Sequence, residues 1–146
     1  MSKRIISSLF ILIITPIILY LMYPTDETRI KKLLEEGRNA IEQEDLDQVM
    51  AKVSYNYQDE YGLTYLSMKE QMKKLFQQMN DIKVEYENLE IKVHEQTASA
   101  EMDLRVIAQV GTDTGYVFGD YPNPEHLMLI LQKERTKWYV INIKGI

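Results

Sequence analysis

Residues 81–110 read DIKVEYENLEIKVHEQTASAEMDLRVIAQV, and their apolar side chains recur at every second position, the period of a strand with one buried face. Ile82, Val84 and Tyr86 alternate, Leu89, Ile91 and Val93 alternate in the opposite phase, and Ala98, Ala100, Met102, Leu104, Val106, Ala108 and Val110 run without interruption. With Glu95 and Gln96 as the turn, Val93 faces Ala98, Ile91 faces Ala100 and Leu89 faces Met102. Beyond that point the apolar sets miss each other unless one strand carries an extra residue. A bulge at Glu87 and Asn88 restores them, setting Tyr86 against Leu104, Val84 against Val106 and Ile82 against Ala108. The stretch therefore predicts a long, bent hairpin. Glu101, Asp103 and Arg105 fall on its opposite, solvated face.

On the N-terminal side the period changes to that of helices. Thr25 caps a helix over 26–43 whose first turn carries Asp26 and Glu27 and whose apolar stripe is Ile30, Leu33, Leu34, Gly37 and Ile41. Asp45 and Gln48 open a short second helix through Leu46, Val49, Met50 and Val53. A tyrosine-rich loop with Tyr55, Tyr57 and Tyr61 runs through Gly62. Ser67 and Glu70 fit a capping box before a third helix, with Met68, Met72, Leu75, Phe76 and Met79 at helical spacing. Past the hairpin, a connection from Gly111 to Pro124 carries Tyr116, Phe118 and Tyr121. Strands over about 126–134 and 137–145 follow, with consecutive apolar residues at Leu127 to Leu131 and Trp138 to Ile141. The order predicts an α+β fold, three helices segregated on one side of a curved, mostly antiparallel sheet.

Before all of this, Ile5 to Met22 form an uncharged, mostly apolar run behind Lys3 and Arg4. At about 1.5 Å per residue it makes a helix of roughly 27 Å, close to the ~30 Å hydrocarbon core of a bilayer. Bulky residues, Tyr20-Leu21-Met22-Tyr23, stand where a signal peptidase needs small ones, so the expectation is an uncleaved anchor over residues 1–24 and a domain over 25–146. Tyr20 and Tyr23 suit a membrane interface. Lys3 and Arg4 favour a cytoplasmic amino terminus and Arg29, Lys31 and Lys32 oppose it. With the nearer cluster dominant, the domain lies outside the cytoplasm, as in a periplasm. Two of the 17 basic residues precede Pro24, leaving 15 basic against 22 acidic residues in the domain. That balance disfavours nucleic acid, which needs clustered Lys and Arg. The chain has no cysteine.

The segments LLEEGRNAIEQEDLDQVMAKVS, YQDEYGLTY, QTASAEMDLRV and KWYVINI resemble the nuclear transport factor 2-like, or SnoaL-like, superfamily of cystatin-like cones, over nearly all of Glu27 to Ile146. The resemblance implies a cone formed by the sheet and closed by the helices. It leaves function open, since this fold hosts enzymes, transport factors and assembly domains. Family enzymes of the ketosteroid isomerase and scytalone dehydratase kind place Asp, His and Tyr inside the cone. This chain offers His94 beside the hairpin turn and His126 at a strand start, positions without evident convergent partners. Neither a metal site nor a cofactor motif is present.

What remains is aromatic. The resemblance sets the tyrosine loop beside the cone, so Tyr57, Tyr61, Tyr65, Phe76 and Trp138 are the candidate lining of a pocket for an apolar or aromatic ligand. Three classes of function follow. The first is a non-catalytic, membrane-tethered module binding a small apolar ligand, or a protein partner or second copy through its sheet. The second is a structural subunit of an envelope or secretion assembly; the third is an isomerase or dehydratase.

Overall fold

The computed structural model describes residues 3–145; Met1, Ser2 and Ile146, the outer ends of the expected anchor and domain, lie outside the described residues. Helix α1, Lys3–Met22, is long and apolar enough to cross a membrane. None of its side chains is buried against the rest of the chain. Helix α2 follows as Asp26–Glu42, where Thr25 in extended backbone accepts a hydrogen bond from the Thr28 amide. Helix α3, Leu46–Met50, starts at Asp45, whose carboxylate accepts from the Gln48 amide at 3.2 Å. Helix α4 spans Tyr65–Gln78. Its cap is Thr64, one turn earlier than the expected Ser67: Thr64 Oγ1 accepts from the Ser67 amide, and Ser67 Oγ accepts in return from the Thr64 amide at 2.7 Å. Ser67 thus closes the reciprocal pair from the third helical position, the place that Glu70 was expected to hold relative to Ser67.

The sheet has five strands: β1 Met79–His94, β2 Thr97–Val110, β3 Asp113–Phe118, β4 Glu125–Glu134 and β5 Lys137–Lys144. All pairings are antiparallel. The hairpin of β1 and β2 sets Val93 opposite Ala98, Ile91 opposite Ala100, Tyr86 opposite Leu104 and Val84 opposite Val106, as read from the sequence, while Leu89 and Ile82 fall at register shifts and are not paired with Met102 and Ala108. The shift falls between Glu87 and Glu90, where Asn88 takes a left-handed φ of 56°. A second shift, between Asn80 and Lys83 with Asp81 at φ 50°, was not expected. Met79, assigned to the third helix by its spacing, caps that helix and begins β1.

Strand β3 corrects the expected connection from Gly111 to Pro124. It pairs with the Val106–Val110 end of β2, while β4 pairs with the Thr97–Leu104 end along the same edge. The chain must leave one partner and admit the other within a single strand length. Gly119 makes this possible: at φ +60° it sits where a Cβ would lie 2.6 Å from the Leu104 carbonyl oxygen and 3.0 Å from the Glu125 nitrogen.

The main core lies between α2 and the inner face of the sheet. Ile30, Leu33 and Leu34 of α2 meet Ala98, Ala100, Met102, Leu127, Leu131, Trp138 and Val140, and Met50, Val53 and Tyr57 close the end. A smaller cluster of Ile82, Val84 and Ala108 takes Phe76 and Ile41 against it. The segment after α3 is fastened to β5 at 2.9 Å, the Ser54 amide donating to the Val140 carbonyl and the Val140 amide to the Lys52 carbonyl. That places the tyrosine loop at the mouth of the sheet's concave side.

Candidate functional site

A cavity of about 510 Å³ opens between α2, α4, the tyrosine loop and the inner sheet face. Leu34, Gly37 and Ile41 form one wall, Met68, Met72 and Leu75 of α4 another, and Val84, Met102, Leu104, Leu127 and Ile143 the sheet floor. Gly37 is a reason the space exists. In the middle of a helix glycine costs about 1 kcal/mol relative to alanine, and a Cβ placed there meets nothing within 4 Å.

Polar groups enter the wall, Lys52 and Gln71 among them, and two further places carry hydrogen bonds. Tyr57, 2% exposed, donates its hydroxyl to Asp59 Oδ2 at 3.1 Å. Burial first, and the Asp59 hydrogen bond second, push the Tyr57 hydroxyl well above the usual phenol range, so it stays a donor. Asp59 Oδ1 also accepts from the Tyr61 and Leu63 amides at 2.9 Å each, which fixes the loop. Opposite stands Arg38, paired with Glu35 and with its guanidinium carbon 5.6 Å from the centroid of the Tyr86 ring. The Tyr86 hydroxyl donates to Glu35 at 3.2 Å; burial and that carboxylate raise its pKa. Arg38 Nε is buried and has no hydrogen-bond partner among the described residues.

Of the five residues expected to line a pocket, Tyr57 and Tyr61 line this cavity. Tyr65 meets Tyr55 with rings tilted at 56° and centroids 4.7 Å apart, and packs on the main core. Phe76 belongs to the smaller cluster. Trp138 is buried below α2, and its Nε1 donates to Asp26 Oδ1 at 3.0 Å. Ionisable side chains also enter the cavity wall: Arg38, Lys52 and Asp59. Arg38 follows the apolar stripe by one position on α2 and reads from sequence as a solvated charge. The turn-forming Asp59 reads as an ordinary loop residue.

His126, expected to lack partners, has two. Its Nδ1 lies 3.1 Å from Asp103 Oδ1 and its Nε2 3.5 Å from Glu101 Oε2. The signal was the cross-strand register, which sets Asp103 opposite His126. The hydrogen bond to Asp103 raises the imidazole pKa, and the Asn88 amide and His126 together lower that of Asp103. The group lies on the sheet face away from the cavity, with Arg105 bridging Glu85 and Glu87 beside it. His94 lies exposed at the end of β1. Among the described residues no group of His, Cys, Asp and Glu is placed to hold a metal ion.

No family model matches the sequence, and no curated protein is similar to it by sequence. Bd1075 of Bdellovibrio bacteriovorus superposes with a TM-score of 0.66 at 16% identity over 80% of this chain, which spans 40% of that protein. A candidate scytalone dehydratase from Novosphingobium aromaticivorans gives 0.68 at 11% identity, covering 79% of this chain and 78% of that one. A nuclear transport factor 2-like protein from Cytophaga hutchinsonii gives 0.65 at 12% identity over 84% of this chain and 100% of its own. The fold is therefore the nuclear transport factor 2-like, cystatin-like cone that the sequence resembles. At these identities the likeness is one of fold.

Proposed function

We propose that this chain is a membrane-anchored binding module whose cone lies outside the cytoplasm and takes up a small, largely apolar ligand. The observation that carries the reading is the cavity: about 510 Å³, lined mostly by aliphatic side chains and methionines, with Arg38 and Tyr57 among the few polar residues of its wall. Enclosed apolar space with a few convergent polar groups is the usual form of a small-molecule site. The anchor is supported by α1, whose leucines and isoleucines from Ile5 to Leu21 are all exposed. In water that surface is unfavourable at about 25 cal/mol per Å², and a bilayer removes the penalty. Lys3 and Arg4 support a cytoplasmic amino terminus.

A dehydratase-type activity has one observation in its favour, the hydrogen-bonded Tyr57 and Asp59 in the cavity wall. Asp59 already accepts from the Tyr61 and Leu63 amides and the Tyr57 hydroxyl, so its lone pairs serve the loop rather than a substrate proton. Binding is thus the better reading. Full-length protein in lipid nanodiscs, screened by thermal shift against small aromatic and aliphatic compounds, should give ligands whose shift disappears in Gly37→Leu and weakens in Tyr61→Ala. Turnover of a dehydratase or isomerase substrate that Asp59→Asn abolishes would overturn it. For the anchor, the chain should resist alkaline carbonate extraction, and protease added to spheroplasts should remove the domain.

A further inference from the structure

A second cleft, of about 490 Å³, lies on the other side of α2 and has the opposite chemistry. Arg29 and Lys32 of α2, Lys52 after α3 and Lys137 at the start of β5 line it, against one carboxylate, Glu36. Glu36 pairs with Lys52 and stands 3.8 Å from Lys32; its pKa is lowered chiefly by Lys52. Lys137 has no ion-pair partner among the described residues. Asp26, close by, is held by Trp138 and Lys133. A net-cationic recess in a domain with excess acid is a placed feature, and its position indicates what it meets. The Arg29 guanidinium lies 4.7 Å from the centroid of Tyr23, at the exit of α1, and its Nη1 donates to the Thr136 carbonyl at 3.4 Å. The same arginine therefore joins the end of the apolar helix to the far wall of the cleft.

We infer that this cleft binds the phosphate of an anionic phospholipid headgroup at the membrane surface. The inference is independent of what fills the apolar cavity and rests on α1 being an anchor. If α1 spans, headgroups surround Tyr23 at a local concentration no soluble anion matches. Arginine suits phosphate through paired N–H donors and lysine as a point charge. Basic clusters beside a membrane helix attract anionic lipid within about one Debye length, ~8 Å at physiological salt. The cleft and the apolar cavity share Leu33 and Lys52 in their walls, so an occupied cleft orders the same helix that bounds the cavity.

The single tryptophan of the chain, Trp138, lies in the cleft wall and reports on it. Full-length protein in neutral maltoside micelles would be titrated with dioctanoylphosphatidylglycerol, dioctanoylphosphatidylcholine and inorganic phosphate while Trp138 emission is followed. The expected result is a saturable change with phosphatidylglycerol that weakens with added salt and loses at least tenfold in affinity in the Lys32→Gln/Lys137→Gln double variant. Neither lysine supports the fold through a close contact, so the variant should keep its wild-type circular dichroism. Equal response to phosphatidylcholine, an unchanged double variant, or an equal response to inorganic phosphate at the same concentration would overturn the proposal. Carbonate extraction separates the two readings: a chain that resists extraction with a flat titration loses the cleft alone, and a chain that is extracted loses the bilayer as the source.

Discussion

Helix α2 divides two recesses of nearly equal volume and contrary character. Leu34, Gly37 and Ile41 face an aliphatic cavity, while Arg29, Lys32 and Glu36 line a cleft crowded with cations. The difference follows from helical geometry, since residues three and four apart share a face and a one-residue offset turns the wall by about 100°. Leu33 belongs to both walls. One amphipathic helix therefore presents an apolar site to the sheet and an anion site toward the anchor.

The largest effect should come from the seam between these regions. Ile30 is fully buried, with 0% exposure, against the sheet. Ile30→Ala should destabilise by about 2–5 kcal/mol, the range for emptying a well-packed core position. Lys32→Ala, two residues on, should stay within about 0.5 kcal/mol. Urea denaturation followed by Trp138 fluorescence compares the two. Equal effects would mean that α2 is not divided as described. Next in size is the apolar side. Gly37→Ala should stabilise by about 1 kcal/mol, because the helix gains and the new methyl group enters open space. Loss of stability of about 1–3 kcal/mol, the mark of overpacking, would show the cavity to be filled.

How much of this contrast was legible depends on whether a signal is local. The β1–β2 register was, because strict alternation and one phase reversal leave few ways to keep Tyr86 beside Leu104. The shift near Asp81 was not, since it lies so close to the start of β1 that no alternation precedes it to be broken. Strand β3 hid for another reason: almost every residue in it is exposed, so no buried face marks it. Tyr57 and Tyr61 stood out as aromatics in a loop. Arg38 and Asp59 did not, because a charge on a helix and an Asp in a turn are ordinary until the fold closes over them. The cleft was the least visible, for its cations come from α2, the segment after α3 and the start of β5, and in sequence they are scattered among carboxylates.

The loop that closes the apolar side sharpens the comparison through pH. Tyr57 has its folded pKa raised by burial, so the stability it lends is fully present below the unfolded value of about 10 and is lost as pH rises through the folded value. Tyrosinate absorbance should therefore show a late-titrating phase, to which Tyr57, the most buried of the tyrosines with a raised pKa, contributes beside Tyr65 and Tyr86. Tyr57→Phe should reduce the amplitude of that phase by one tyrosine, at a cost of about 1 kcal/mol for the lost hydrogen bond. A tyrosine set that ionises together near pH 10 would mean that the mouth of the cavity is open to water.

The smallest effect is expected on the outer sheet face, which is charged like the cleft but balanced toward acid. There His126 stands between Asp103 and Glu101, with Arg105 paired to Glu85 and Glu87. Its pKa is raised, first by the Asp103 hydrogen bond, so its contribution is present below the unfolded value of about 6.5 and disappears as pH rises through the folded one. Because the imidazole is exposed, solvent screens the pair and the change in stability should be slight. The titration itself is the better measurement. In proton-detected spectra the His126 ring should titrate above pH 6.5, and Asp103→Asn should lower its midpoint. Anionic lipid should leave that midpoint unmoved if it settles in the cleft, because the cations that attract it line the other side of the fold. A lipid-induced shift at His126 would place the headgroup on the sheet instead, and the division of labour across α2 would fail.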